Sequence, residues 1–210
     1  DIMDAAIGSR ISDYLIKPVN PNQILLSIKK NVDNKKLITS KTTSDYQSDF
    51  RNIASQITLA KNFDDWGDIY KRLLYWEIEL DTSQDSSMCE VFQMQKAEAD
   101  MEFSKFIRTH YLDWFNPKTT DKPLLSPTIL RSAVFPELKE NRKTVFILID
   151  NMRFDQWRVI QPLVNQYFHT VDEVIYSSIL PTSTQYARNA IFAGLMPAAI
   201  QELYPSLWLS

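Results

Sequence analysis

Asp150 closes an apolar run, Lys143 to Ile149 (KTVFILI). In open α/β sheets, ligands bind outside the carboxyl ends of the strands, so a carboxylate there is placed to hold a metal ion. The same residue could instead cap the helix that follows, and position alone does not choose between the two. Thr182, Ser183 and Thr184 stand between a second β-favouring segment and the start of a helical pattern. A hydroxyl at a helix N-terminus lies where the backbone favours negative charge, so it could ionise toward a metal and attack phosphorus. Ser and Thr are also ordinary N-caps. Two adjacent parallel strands would bring the carboxylate and the hydroxyl to one sheet edge, a pairing suited to metal-assisted phosphoryl transfer.

Other chemistry-bearing residues read as structural. His110 falls on the apolar stripe of a helix, one turn before Trp114, as expected of a hydrogen-bonded core histidine. His169 sits before a strand, at the edge away from Asp150 and Thr184. Two histidines cannot complete a His-rich zinc site. Cys89, the single cysteine, lies between Met88 and Glu90 on a helix and reads as a small packed residue. It excludes an internal disulfide and suggests a reducing, cytoplasmic compartment. The aromatic residues of the helical region keep helical spacing, which suits a core better than a base-stacking surface.

Composition narrows the classes further. Only three of the 210 residues are glycine, where about 15 would be usual. That excludes glycine-rich phosphate loops and hairpin-rich β folds, and favours long helices. The net charge of −3 gives no reason to expect nucleic-acid binding. No signal peptide is visible, and no apolar run approaches the ~20 residues of a membrane span. The sequence begins with Asp1 and reads as a piece of a longer protein.

The elements that must position these residues follow from periodicity. Residues 11–19 read as a buried strand. Asn20-Pro21-Asn22-Gln23 is a helix start, and Ile24, Ile28 and Val32 continue the pattern to about Leu37. The polar residues 39–44 read as a linker. Three helical segments come next, carrying Tyr46, Phe50, Ile53, Ile57 and Ala60, then Trp66, Tyr70, Leu73 and Leu80 after an Asp64 cap, then Met88 to Trp114 within 86–115. Residues 116–123 break the pattern, and Ser126-Pro127 opens a short helix. Strands are expected at 143–149 and 171–179, and helices over 154–168, kinked at Pro162, and from Thr184 to Gly194. Two strands cannot cover the faces of a sheet, so the α/β part reads as cut off.

Two stretches carry family resemblances. Asp13-Tyr14-Leu15-Ile16-Lys17-Pro18-Val19 resembles the fifth strand of a response-regulator receiver domain. In that family the lysine, before a cis proline bond, contacts the phosphoryl group, and the aromatic residue is the rotating switch. The resemblance therefore implies phosphorylation-sensing roles for Lys17, Pro18 and Tyr14. The phosphoacceptor aspartate and the acidic magnesium site belong upstream in the family.

The segment Val145 to Asp155 resembles the first strand and metal-binding aspartate of the alkaline phosphatase superfamily, in its PglZ branch. Leu180-Pro181-Thr182-Ser183-Thr184, leading through Arg188 to Gly194 and Pro197, resembles its nucleophile turn and helix. The family form Pro-Thr-x-Thr implies Thr184 as the nucleophile, with Thr182 or Ser183 as fallback. It also implies two zinc ions, with Asp150 and Thr184 among their ligands and the remaining ligands downstream. Together the stretches resemble the PorX family of response regulators of the type IX secretion system.

The expected fold class is thus α/β plus all-α: the C-terminal end of a flavodoxin-like receiver (1–38), a helical bundle (39–125) and the N-terminal part of an alkaline-phosphatase-like domain (126–210). The expected function is that of a two-component response regulator whose effector is a zinc-dependent phosphodiesterase or phosphatase. Residues 1–210 alone are expected to be inactive and to bind zinc weakly at best. A sensor histidine kinase, other signalling or secretion-system proteins, and a second copy of the chain, paired through receiver and helical module, are the implied partners. The competing expectation is a non-catalytic adaptor that binds proteins through the receiver and helical bundle.

Overall fold

The computed structural model describes residues 21–83, 86–138 and 143–208. Tyr14, Lys17 and Pro18 lie outside them. Six α-helices are formed among the described residues: α1 (Pro21–Leu59), α2 (Phe63–Ser83), α3 (Ser86–His110), α4 (Phe154–Val164), α5 (Thr184–Ala193) and α6 (Pro197–Leu203). The chain divides into two compact units, one of residues 1–59 with 69–103, the other of residues 60–68 with 104–210.

In the first unit, α1 begins with Pro21 at its first position, where a missing N–H costs nothing. It runs on for 39 residues, through the stretch 39–44 that its polarity marks as a linker. Ser and Thr cost only a few tenths of a kcal/mol each in a helix, and no Gly or Pro intervenes. Continuing is therefore cheaper than breaking and renucleating. The core holds Tyr46, Ile53, Ile57, Leu73, Leu80, Phe92 and Ala99 of the expected stripes, and Ile69 and Trp76 of α2, which those stripes leave out, all buried. Tyr70 departs from the expectation and is exposed.

One polar arrangement sits inside this core and a second at its edge. The fully buried Tyr46 hydroxyl donates to Gln95 Oε1 at 3.0 Å, and Gln95 Nε2 donates to the Phe50 carbonyl at 2.9 Å. Burial, reinforced by the nearby charge of Asp49, pushes the Tyr46 hydroxyl up to about 12. Asp49 accepts from Arg72 Nε at 2.6 Å, Arg72 Nη2 at 2.5 Å and Trp76 Nε1 at 2.8 Å. Cys89 is half-buried, its Sγ 3.9 Å from the Leu80 carbonyl, as a packed residue should be.

In the second unit, α2 starts from a reciprocal cap at Asn62 rather than at Asp64. Asp65 N–H donates to Asn62 Oδ1 at 2.8 Å, and Asn62 N–H donates to Asp65 Oδ2 at 3.2 Å. Both groups are backbone donors that a helix start would otherwise leave unsatisfied. An aromatic cluster follows: Trp66, Phe106 and Trp114 are buried, with Phe63 edge-on to Trp114 and His110 stacked on Phe106 at 4.4 Å. His110 Nδ1 lies 2.9 Å from the Phe106 carbonyl, the packed and hydrogen-bonded state its position predicts. The third helix ends at His110, earlier than residue 115, and a single 3₁₀ turn carries Asp113–Phe115.

The two expected strands do not form among the described residues. Residues 143–149 have no ladder partner, and Val145 and Ile147 are 81% and 74% exposed. A strand exists only where a neighbour accepts and donates its backbone hydrogen bonds, and none runs beside this segment among the described residues. The segment 171–179 makes one parallel bridge, Leu125 to Ser177. The helix expected over 154–168 stops at Val164, two residues after Pro162. The helix after Thr184 ends at Gly194, as expected, with φ +64°.

Candidate active site

The backbone leading to the three hydroxyls is pinned at successive points. Ser177 N–H donates to the Leu124 carbonyl at 2.8 Å. Ile179 N–H donates to Ser126 Oγ at 3.2 Å, with both residues fully buried. Leu180 N–H donates to Tyr111 Oη at 2.6 Å. Ile179 also packs against Ala187 and Ala190 of α5, with Tyr186 and Met196 beside them. After this anchored stretch come the cis Leu180–Pro181 bond and the exposed Thr182, Ser183 and Thr184.

Thr184 is the first residue of α5. Ser183 precedes it, and its carbonyl accepts from Tyr186 N–H at 2.9 Å and Ala187 N–H at 3.0 Å. The Ser183 side chain makes no capping hydrogen bond, so the simple capping role is not taken up there. Thr184 stands at the end of α5 where backbone N–H groups favour negative charge.

Asp150 does not cap α4, which begins at Phe154 after Arg153. It lies in a turn with Asn151, whose φ of +59° is one that asparagine tolerates. Its Oδ2 accepts from Arg188 Nη1 at 3.3 Å. Arg188 is four residues after Thr184, and residues at that spacing share a helix face. The pair is about half exposed on both sides, so it contributes little stability. It links the carboxylate of Asp150 to Arg188, one turn along α5 from Thr184.

Asp150 and Thr184 suit a metal as two hard oxygen donors. Among the described residues no three His, Cys, Asp or Glu side chains gather into a metal-holding cluster. Zinc takes about four ligands, so these two residues alone do not make a zinc site. His169 is exposed and takes no part in such a cluster. Tyr111 and Ser126 are the residues that sequence patterns miss. Tyr111 carries no motif and Ser126 reads only as a helix start, and each matters through a backbone bond to a segment more than fifty positions away.

Two family matches bear on the chain. Residues 36–115 match the PorX response regulator linker domain. Residues 129–210 match the PglZ alkaline phosphatase-like domain of BREX systems. No curated protein matches the chain.

Proposed function

We propose, from the premise that this is a PorX-like chain with a PglZ domain, that it serves a response regulator whose phosphatase-like effector cleaves phosphodiesters or phosphomonoesters through Thr184. The observation that carries the reading is the Arg188–Asp150 contact, which links a carboxylate to α5 one turn along from Thr184. Thr184 Oγ1 forms a bond to phosphorus as the bond from phosphorus to the leaving alkoxide breaks. The hydroxyl proton passes to solvent, and the alkoxide takes one up. Water then cleaves the threonine–phosphorus bond, so one water is consumed per ester. The N-terminal amides of α5 favour the negative charge that builds at the phosphoryl oxygens. Bound zinc would favour the ionised hydroxyl and neutralise charge on the leaving oxygen, with Asp150 and Thr184 among its ligands.

The rest of the reading is regulatory. A sensor histidine kinase would phosphorylate the receiver, at a magnesium-dependent site, and Tyr14, Lys17 and Pro18 would sense the phosphoryl group. The output would act on type IX secretion, in the cytoplasm, with a second copy of the chain paired through the receiver and helical module. Among the described residues no helix is long and apolar enough to cross a membrane.

The adaptor reading draws on one observation: Ile24, Leu25, Ile28, Val32 and Ile38 lie exposed on one face of α1, the kind of surface that binds protein partners. Thr184→Ala in the intact protein separates the two. The enzyme reading expects loss of chromogenic phosphodiester hydrolysis with zinc content retained. No turnover in the wild type, with signalling output unchanged by the substitution, favours the adaptor.

A further inference from the structure

Tyr111 stands just past the end of α3, its backbone N–H still donating to the Ile107 carbonyl at 2.9 Å. Its ring is held edge-on between Trp114 at 5.8 Å and Phe115 at 5.1 Å. Trp114 is buried and packs on Phe63 and Phe106. The hydroxyl is therefore carried on an aromatic cluster with little freedom to move. Its oxygen accepts the Leu180 N–H at 2.6 Å, four positions before Thr184. Tyr111 lies within the linker-domain match and Leu180 within the PglZ match, yet both belong to one compact unit.

We propose that Tyr111 is a positioning residue for the nucleophile turn: its hydroxyl fixes the backbone from which residues 181–184 project. The Leu180 N–H has a side-chain acceptor in place of a sheet neighbour, so one oxygen atom sets where the turn begins. Downstream, Ser183 and α5 are fixed by their own helical bonds and by Ile179 packing on Ala187 and Ala190. Between those anchors the Tyr111 contact limits how far Thr184 can drift from the Asp150–Arg188 pair. Reaction rates fall steeply with small misplacements of the attacking atom. The inference rests on the threonine-nucleophile reading.

The test is Tyr111→Phe in the intact protein, which keeps the ring and removes the acceptor. Three readouts are taken: hydrogen exchange of the peptide spanning residues 178–184, kcat and KM on a chromogenic phosphodiester, and thermal midpoint. The expected result is faster exchange in that peptide, a kcat lowered about five- to tenfold with KM unchanged, and a midpoint lower by no more than about 2–4 °C, the scale of one lost hydrogen bond. Unchanged exchange and kcat overturn the proposal. So does a general drop in midpoint with exchange raised throughout, because that marks a purely structural role. Faster local exchange in a protein whose wild type shows no turnover supports the anchoring and overturns the phosphoesterase reading separately.

Discussion

Replacing Asp49 by asparagine tests the account of the helical core most sharply. The carboxylate accepts from Arg72 Nε and Nη2 and from Trp76 Nε1, with Asn52 Nδ2 at 3.3 Å. Bonds to a charged acceptor contribute about 1.5–3 kcal/mol each where fully buried. Arg72 is 38% exposed, so its share is discounted for solvent screening. Trp76 is buried, and its indole N–H would face an amide able to present the wrong atom. The net cost of Asp49→Asn is about 2 kcal/mol, or a melting point lower by about 4–8 °C in a chain of this size. Urea titration followed by tryptophan fluorescence measures it, with an unchanged slope expected.

The pH dependence supplies a second arm of that experiment. Burial pushes the Asp49 carboxyl up, but hydrogen bonds from Arg72 and Trp76 and the Arg72 charge outweigh it and leave the carboxyl below its ordinary value. In the window between folded and unfolded values the unfolded chain binds more protons, so stability rises with pH there. The contribution of Asp49 is complete above about pH 4, the ordinary range for an aspartate. It is lost as pH falls through the depressed folded value. Wild type and Asp49→Asn therefore converge in acid. A difference below about 0.5 kcal/mol at pH 7, or one that persists undiminished in acid, would refute the reasoning.

Two further outcomes are expected. Gly194→Ala forces a side chain into φ +64°, while the added Cβ meets the Pro127 carbonyl oxygen at an ordinary 3.6 Å. Backbone strain alone then lowers stability by about 1 kcal/mol, and an unchanged or raised melting point would contradict this. Hydrogen bonds from Arg153, offset in part by desolvation, hold the Asp155 carboxyl at about 2. Arg153→Ala should raise it toward the usual aspartate value of about 3.9 in an NMR titration, and a value still near 2 would contradict that cause.

Helical periodicity made the first core legible: Tyr46, Ile53, Ile57, Leu73, Leu80, Phe92 and Ala99 are buried as their spacing predicts. Local chemistry also gave the end of α5 at Gly194. What local sequence did not give is whatever depends on a distant partner. The run 143–149 has the composition of a buried strand, yet strand pairing is a property of two segments and not of one. The polar residues 39–44 looked like a break because their side chains avoid the core, although their propensities do not oppose a helix. At the site, Asp150 and Thr184 were legible from their ends of segments. Arg188 as the bridge, and Tyr111 and Ser126 as anchors, became visible only through contacts between remote positions.

In the proposed reaction Thr184 carries the phosphoryl group during turnover. The most direct measurement is an acid quench of the intact, zinc-supplied protein during hydrolysis of a chromogenic phosphoester, followed by peptide mapping of residues 177–194 by mass spectrometry. The expected result is a phosphoryl-containing adduct on Thr184, absent from Thr184→Ala. An adduct on Thr182 or Ser183 with full activity in Thr184→Ala would contradict it.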